Sequence, residues 1–305
     1  MLRNLLLSAA KSPFWIDRIK WLGAKSGLTR RFVAGESLEE ALPAVQRLHE
    51  QGLLTTLDQL GENTLDAASA VSATDGYIEL LEELERRRVP STISIKLTQL
   101  GLAVDEELCR RNLERILSRA AALENFVTID MESSEFTEAT LDLFREALAR
   151  FGARHVGIVL QAYLYRTEAD LRSLLPVGCH IRLCKGAYRE PPEVAFPRKR
   201  DVNRNYGKLL RLLIESPAYP EIATHDEGII RLARRLLREK GRGRDTYEFQ
   251  MLFGIRRARQ LSLAREGHRV RVYVPFGTQW APYFTRRLAE RPANLLFLLR
   301  NLGRR

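Results

Sequence analysis

The chain has 305 residues, 45% of them hydrophobic, and its 49 Lys and Arg against 38 Asp and Glu leave a net charge of +11. That size suits one large domain with a substantial core, and no run approaches the ~20 apolar residues of a membrane-spanning helix. Cys109, Cys179 and Cys184 lie in hydrophobic-rich stretches without CxxC or Cys/His spacing, which argues against a disulfide framework or a zinc site and for a reducing cytosol.

Residues 1–50 read as helical throughout. Near the start, Phe14, Ile16, Ile19, Trp21 and Leu22 line one side of an amphipathic stretch suited to packing or to a membrane surface, and 36–50 is the clearest amphipathic segment. This gives an N-terminal helical segment, 1–50, that packs on a catalytic unit spanning 51–305. From residue 53 the pattern changes to short apolar runs at 53–60, 91–97, 126–131, 156–163, 180–186, 221–226, 246–254 and 270–277. Amphipathic stretches separate them at 64–88, 105–123, 137–151, 166–175 and 227–241, with apolar positions recurring at three and four residues. Eight strand candidates alternating with helices predict an α/β fold, a (β/α)8 TIM barrel, with a doubly wound open sheet as the alternative. The Pro-punctuated interruption 189–206 is expected to be a loop over the barrel mouth.

In such a barrel the site is assembled at the carboxyl ends of the strands. Lys96 ends the second run, Asp130 the third, Gln161 the fourth, Arg182 and Lys185 the fifth, and Thr224 and His225 the sixth. Glu248 and Gln250 sit in the seventh, and Tyr273 in the eighth. Each alone suits a buried ion pair, but leaving so many polar groups unpaired costs about 1–3 kcal/mol apiece, a cost that a shared polar ligand removes. Near the C-terminus, Tyr283, Arg286, Arg287 and Glu290 fall at i, i+3, i+4 and i+7, so a helix presents them on one face. Two adjacent guanidinium forks suit one carboxylate, and equally suit a solvated basic face. There is no GxSxG, HExxH, P-loop or strand-following GxGxxG sequence.

The segments 58–62 (DQLGE), 94–101 (SIKLTQLG), 128–132 (TIDME), 161–164 (QAYL), 181–188 (IRLCKGAY), 223–226 (ATHD), 248–254 (EFQMLFG), 271–277 (RVYVPFG) and 283–290 (YFTRRLAE), in this order, resemble the proline dehydrogenase family in its compact bacterial form. The resemblance implies a distorted (β/α)8 barrel with N-terminal helices and a late C-terminal helix over the mouth. It implies FAD, oxidation of L-proline to pyrroline-5-carboxylate by hydride transfer to flavin N5, and a membrane quinone, ubiquinone or menaquinone, as acceptor. A cytoplasmic enzyme peripheral on the inner face of the membrane follows, with pyrroline-5-carboxylate dehydrogenase as a channelling partner and no nucleic acid. Carried over by position, Lys96, Arg286 and Arg287 resemble the cations that hold the proline carboxylate. Tyr188, Leu252 and Tyr283 resemble the walls around its ring, Asp130 a bracing carboxylate, and Glu62 a gate partner of Arg287. Met131, Gln161, Arg182, Lys185, Gly186, Ala187, Thr224, His225 and Glu290 resemble the flavin contacts, with Arg182 near N5. Asp226 and Arg291 depart from the family's frequent Asn and Thr, and Asp226 adds a negative charge near the cofactor.

Two other classes fit the residues less fully. A Schiff-base aldolase would use a strand-end lysine, Lys96 or Lys185. A basic nucleic-acid-binding protein would use the positive concentrations at 256–271, 286–291 and 300–305, but lacks a recognised motif.

Overall fold

The computed structural model describes residues 29–290, without the side chains of 288–290. The amphipathic stretch inside residues 1–28, the side chain of Glu290 and Arg291 therefore lie outside the described residues. Eight parallel strands close into a barrel in sequence order: β1 (Leu54–Gln59), β2 (Ser91–Lys96), β3 (Val127–Asp130), β4 (Val156–Gln161), β5 (His180–Cys184), β6 (Tyr219–Ala223), β7 (Glu248–Leu252) and β8 (Val270–Phe276). The ring is sealed by the β1–β8 register, which runs from Leu54 opposite Arg271 to Gln59 opposite Phe276.

The helices are α1 (Leu38–Glu50), α2 (Ala67–Arg86), α3 (Glu106–Ala122), α4 (Thr137–Phe151), α5 (Thr167–Leu174), α6 (Lys199–Glu215), α7 (Glu227–Glu239), α8 (Arg257–Arg265) and α9 (Trp280–Glu290). Side-chain caps start several of them. Ser37 accepts from Glu40 N, Asp66 from Ser69 N, Asp105 from Leu108 N and Asp226 from Gly228 N, each satisfying an amide that the first helical turn leaves open. The apolar faces of α1 to α8 close over the outer strand residues in one continuous core, with Tyr77, Ile93, Ile129, Phe144, Ile158, Ile181, Tyr206 and Leu263 fully buried.

Two expectations need correction. Residues 189–206 are not loop throughout, because α6 begins at Lys199 and buries Val202 and Tyr206. The span 1–50 is not continuously helical either: after a single 3-10 turn at Thr29–Arg31, residues 32–37 run as non-helical chain to the cap of α1. That chain lies beside the end of β8, with Ala34 N donating to Pro275 O and Gly277 N to Gly35 O, both at 2.9 Å.

The final helix departs from the regular barrel plan. α1 packs against β1 and β8, while α9 leaves the main core. Trp280, Ala281, Tyr283 and Phe284 form a separate apolar cluster with Phe32, Val33 and Leu60. The residue just past β1, Leu60, donates its amide to Phe276 O at 2.7 Å, so this second cluster stands at the carboxyl ends of β8 and β1. The late helix is thereby held over the mouth.

Candidate active site

Side chains alternate in direction along a strand, so residues two apart share a face. At the barrel's carboxyl end this alternation converges on Lys96. Its Nζ donates to Asp58 Oδ1 at 2.7 Å, to Tyr273 OH at 3.2 Å and to Asp130 Oδ2 at 3.3 Å. Tyr273 OH in turn donates to Asp130 Oδ2 at 2.7 Å, and Arg182 Nη1 donates to Asp130 Oδ1 at 2.8 Å and to Ser94 Oγ at 3.1 Å. Five strands thus supply one connected network, from which the side chain of Asp58 is fully hidden.

Burial pulls the Lys96 ammonium down, but Asp58, Tyr273 and Asp130 outweigh it and hold the group well above its ordinary value. Asp58 is pushed up by burial and by Asp130, against the pull of Lys96. Lys96 is therefore a fixed cation. A Schiff-base role needs a neutral amine, which this site opposes. Lys185 is likewise engaged, donating to Asp226 Oδ2 at 2.8 Å. The charge that Asp226 adds is paired with Lys185, and its other oxygen caps α7.

Beneath this layer the barrel is filled by charged residues. Arg271 binds Glu248 at 2.7 and 3.1 Å, and Gln250 Nε2 donates to both Glu248 Oε1 and Glu221 Oε2 at 2.6 Å. Glu221 also meets His180 Nδ1 at 3.1 Å and approaches Arg182 Nε at 3.6 Å. Burial raises the Glu221 carboxyl, but His180 and Arg182 prevail and leave it below its ordinary value.

The remaining expected residues gather around the same mouth. Met131 is buried, its carbonyl accepting from Gln161 Nε2 at 2.9 Å. His225 Nε2 accepts from Leu252 N at 2.9 Å, which ties the β6 end to the half-buried Leu252 at the end of β7. Thr224 Oγ1 is turned to Asp226 N, at 3.1 Å, within its own turn. Gly186, followed by Ala187, sits at φ +106°, and a Cβ there would run into the Tyr163 ring. The glycine thus admits the Tyr163 ring.

On α9, the Arg286 guanidinium lies 5.6 Å from the Tyr188 ring and that of Arg287 5.2 Å from the Tyr283 ring. Burial draws the Arg286 guanidinium down, and Glu62 more than restores it. Tyr188 is pushed up by burial first, then by Glu62 and Glu132, with Arg286 and Lys96 opposing, so one cation of the helix and one of the strand ends both act on this phenol. Glu62 corrects one expectation. Its carboxylate is met by both Nη atoms of Arg286, Nη1 to Oε2 at 2.9 Å, and not by the expected Arg287.

Asp58, Ser94, Glu221 and Glu132 join the strand-end network or support it but were not singled out from sequence, whereas Tyr273 was noted there as a strand-end polar residue without a role. For Asp58 and Ser94 the signal was present: Asp58 pairs in register with Ser94, two residues before Lys96 on the inward face of β2. Half of the six arginines in the basic concentration at 256–271 are engaged internally, Arg256 and Arg259 on Glu227, Arg259 on Glu266 and Arg271 on Glu248. Among the described residues, no His, Cys, Asp and Glu cluster could hold a metal ion, and no helix is long and apolar enough to cross a membrane.

Comparison with known proteins matches residues 41–300 to the family described as Proline dehydrogenase. The chain is 41% identical to the proline dehydrogenase of Deinococcus radiodurans, over 98% of this chain and 97% of that one. It is 40% identical to proline dehydrogenase 1 of Bacillus subtilis strain 168, over 99% of each. Among solved structures it resembles proline utilization A from Bdellovibrio bacteriovorus, inactivated by N-propargylglycine, with TM-score 0.82 and 25% identity over 91% of this chain; the match spans 34% of that longer protein. The convergent strand-end network and these near full-length matches lead to one conclusion: the chain belongs to the proline dehydrogenase family.

Proposed function

We propose that the chain is an FAD-dependent proline dehydrogenase that oxidises L-proline to pyrroline-5-carboxylate. The observation that carries this reading is the fixed cation Lys96, set in its carboxylate and tyrosine network and acting with Arg286 of α9 on the Tyr188 phenol. Lys96, Arg286 and Arg287 would hold the proline carboxylate, with Tyr188, Leu252 and Tyr283 around the pyrrolidine ring. Three cations on one small anion fix its orientation, and orientation is most of what a transfer between rings demands. Asp130, gripped by Lys96, Tyr273 and Arg182, braces the set. Because Glu62 occupies the Arg286 fork, its carboxylate takes part in closing the site.

The residues present fit a flavin. At the strand ends Arg182 Nη2, a donor, and Gln161 Oε1, an acceptor, are buried without a hydrogen-bond partner among the described residues, and a flavin edge offers both functions. Arg182, Gln161, Met131, Lys185, Gly186, Ala187, Thr224, His225 and Glu290 would hold it. When bound, FAD supplies the two-electron acceptor for the hydrogen on the carbon beside the proline nitrogen. The proline amine must be neutral, so activity rises with pH until that proton is gone. Electrons then pass to a membrane quinone, ubiquinone or menaquinone, and the product to a pyrroline-5-carboxylate dehydrogenase. The excess of positive charge suits a cytoplasmic protein peripheral on the anionic inner face of a membrane.

The test is the visible spectrum of the purified protein and proline-dependent reduction of a soluble quinone. A protein without flavin absorbance, and with none after FAD is added, refutes the reading. Arg286→Met and Arg287→Met should each raise KM for proline at least tenfold, and values within about twofold of the parent would remove the carboxylate assignment.

A further inference from the structure

Glu62 is offered to Arg286 by a short loop after β1, and the conformation of that loop is fixed from an unexpected direction. Asn63 is non-glycine backbone at φ +53°, the left-handed region that most L-residues avoid and that asparagine adopts more readily than others. Its amide donates to Thr98 Oγ1 at 3.2 Å, while Thr64 N and Thr64 Oγ1 donate to Thr98 O at 3.3 and 2.9 Å. Thr98, just past β2, is fully buried. Its own amide and hydroxyl donate to Glu132 Oε1 at 2.9 Å and Oε2 at 2.6 Å. The loop's other flank rests on Gln99, which a Cβ on Gly61 would strike at 2.6 Å and which Tyr77 OH fixes at 2.9 Å.

We propose that Glu132 and Thr98 are positioning residues for Glu62, forming a clamp that holds the loop in the conformation that sets Glu62 against Arg286. The proposal rests on the reading of Arg286 as a substrate-carboxylate partner. The chemistry of the hydroxyl gives the clamp a direction. A threonine has one O–H to donate, and an ionised Glu132 accepts only. The hydroxyl therefore points to Glu132, and its lone pairs are left to receive the Asn63 amide. A proton on Glu132 Oε2 makes that oxygen a donor, reverses the bond and turns the Thr98 hydrogen toward the amide it had been holding.

Several groups act on Glu132. Burial raises it, Thr98 lowers it through both bonds, Glu62 raises it and Lys96 lowers it, and the balance leaves it pushed up to about 7. Tyr188, Tyr77 and Cys109 also feel its charge, and all three are themselves pushed upward by burial. The clamp thus weakens as pH falls through neutrality.

The test uses the full chain with its cofactor. Thr98→Val removes the hydroxyl without changing shape, and should raise KM for proline about five- to twentyfold with a smaller change in kcat, whereas Thr98→Ser stays within twofold of the parent. In a Glu62→Gln background the added effect of Thr98→Val should fall below twofold, since there is no longer a carboxylate to position. The ratio of KM in Glu132→Gln to KM in the parent should change across pH 6 to 8, a comparison in which the proline amine cancels. Deuterium exchange of peptides covering 60–66 should accelerate in Thr98→Val whatever the substrate. Unchanged exchange, or a Thr98→Val effect that simply multiplies that of Glu62→Gln, overturns the clamp. An unchanged KM in Arg286→Met removes the substrate reading instead, and the exchange result then decides the clamp by itself.

Discussion

Replacing Lys96 by methionine tests the electrostatic architecture without reference to any substrate. Lys96 is the cation shared by Asp58 and Asp130, at 2.7 and 3.3 Å, and the side-chain exposures of the three are 7%, 0% and 14%. Methionine fills nearly the same volume but leaves a hidden carboxylate opposite a second one, with Arg182 reaching only Asp130. Removing one partner of a buried ion pair costs about 3–5 kcal/mol, most of it the penalty of the stranded charge. The sign of the pH dependence follows. Burial already holds Asp58 above its ordinary value, and losing Lys96 raises it further. A carboxyl whose folded pKa exceeds its unfolded one loses stability as pH rises from about 4 through the folded value. Urea unfolding should therefore show a deficit of about 3–5 kcal/mol at pH 8 that shrinks to about 1–2 kcal/mol at pH 5. Asp58→Asn in the same chain should recover much of the deficit at pH 8. A deficit below about 1 kcal/mol, or one of equal size at both pH values, would refute the view of Lys96 as a fixed, charge-balancing hub.

Three further outcomes are expected. Glu132, raised from 4.5 to about 7 inside the protein, draws about 3 kcal/mol out of stability as pH climbs between those values; thermal melts of Glu132→Gln should lack that slope and lie above the parent at pH 8. Gly186→Ala forces a side chain into positive φ and into the Tyr163 ring, for a loss of about 1–3 kcal/mol. Trimming Tyr163 to alanine in that variant should return the steric share, measured again by urea unfolding. Gly254→Ala, at φ +73°, would place a Cβ against the Arg31 carbonyl, so trypsin should cut after Arg30 and Arg31 faster than in the parent, at unchanged barrel circular dichroism.

The barrel was legible because its strands are short apolar runs and its helices keep a strict three–four spacing, as in α4, whose expected bounds of 137–151 are the observed ones. α6 was missed because its first turns carry Lys199, Arg200, Asp201, Asn203 and Arg204, so its apolar rhythm emerges only from Val202 through Tyr206, Leu209, Leu210, Leu213 and Ile214. α8 is nearly featureless in its patterning, with only Gln260 and Leu263 buried, and periodicity cannot reveal such a helix. At the strand ends, the polar residues that meet in one network, Lys96 and Asp130 among them, stood out in the sequence because polarity at the end of an apolar run is itself unusual. The Arg286–Glu62 partnership was not, because choosing between adjacent arginines requires the rotation of α9 and the turn at Asn63, and neither is written in spacing.

The displacement of the last helix links the ends of the described chain to the chemistry. In a regular barrel the helix after β8 would cover β8 and β1, but here α1 takes that wall. Because the wall is already sealed, α9 is free to bring arginines to the mouth, and it must find its packing elsewhere. It finds it in residues that precede the barrel. Phe284 packs against Phe32 at a 6.0 Å centroid distance and against Trp280 at 5.8 Å, and Trp280 Nε1 donates to Glu36 Oε1 at 3.0 Å. The 29–36 segment is wedged in turn between the loop at Gly254 and the end of β8. Two supports for α9 stand among the described residues: this apolar bracket on one side of the helix and the Glu62 loop, which meets Arg286, on the other. The Glu62 support carries a buried carboxyl pushed up to about 7, Glu132. A change of pH should thus reach Arg286 from the β1 side, through the Thr98–Glu132 bonds and the Glu62 loop, rather than through the Phe32–Phe284–Trp280 bracket.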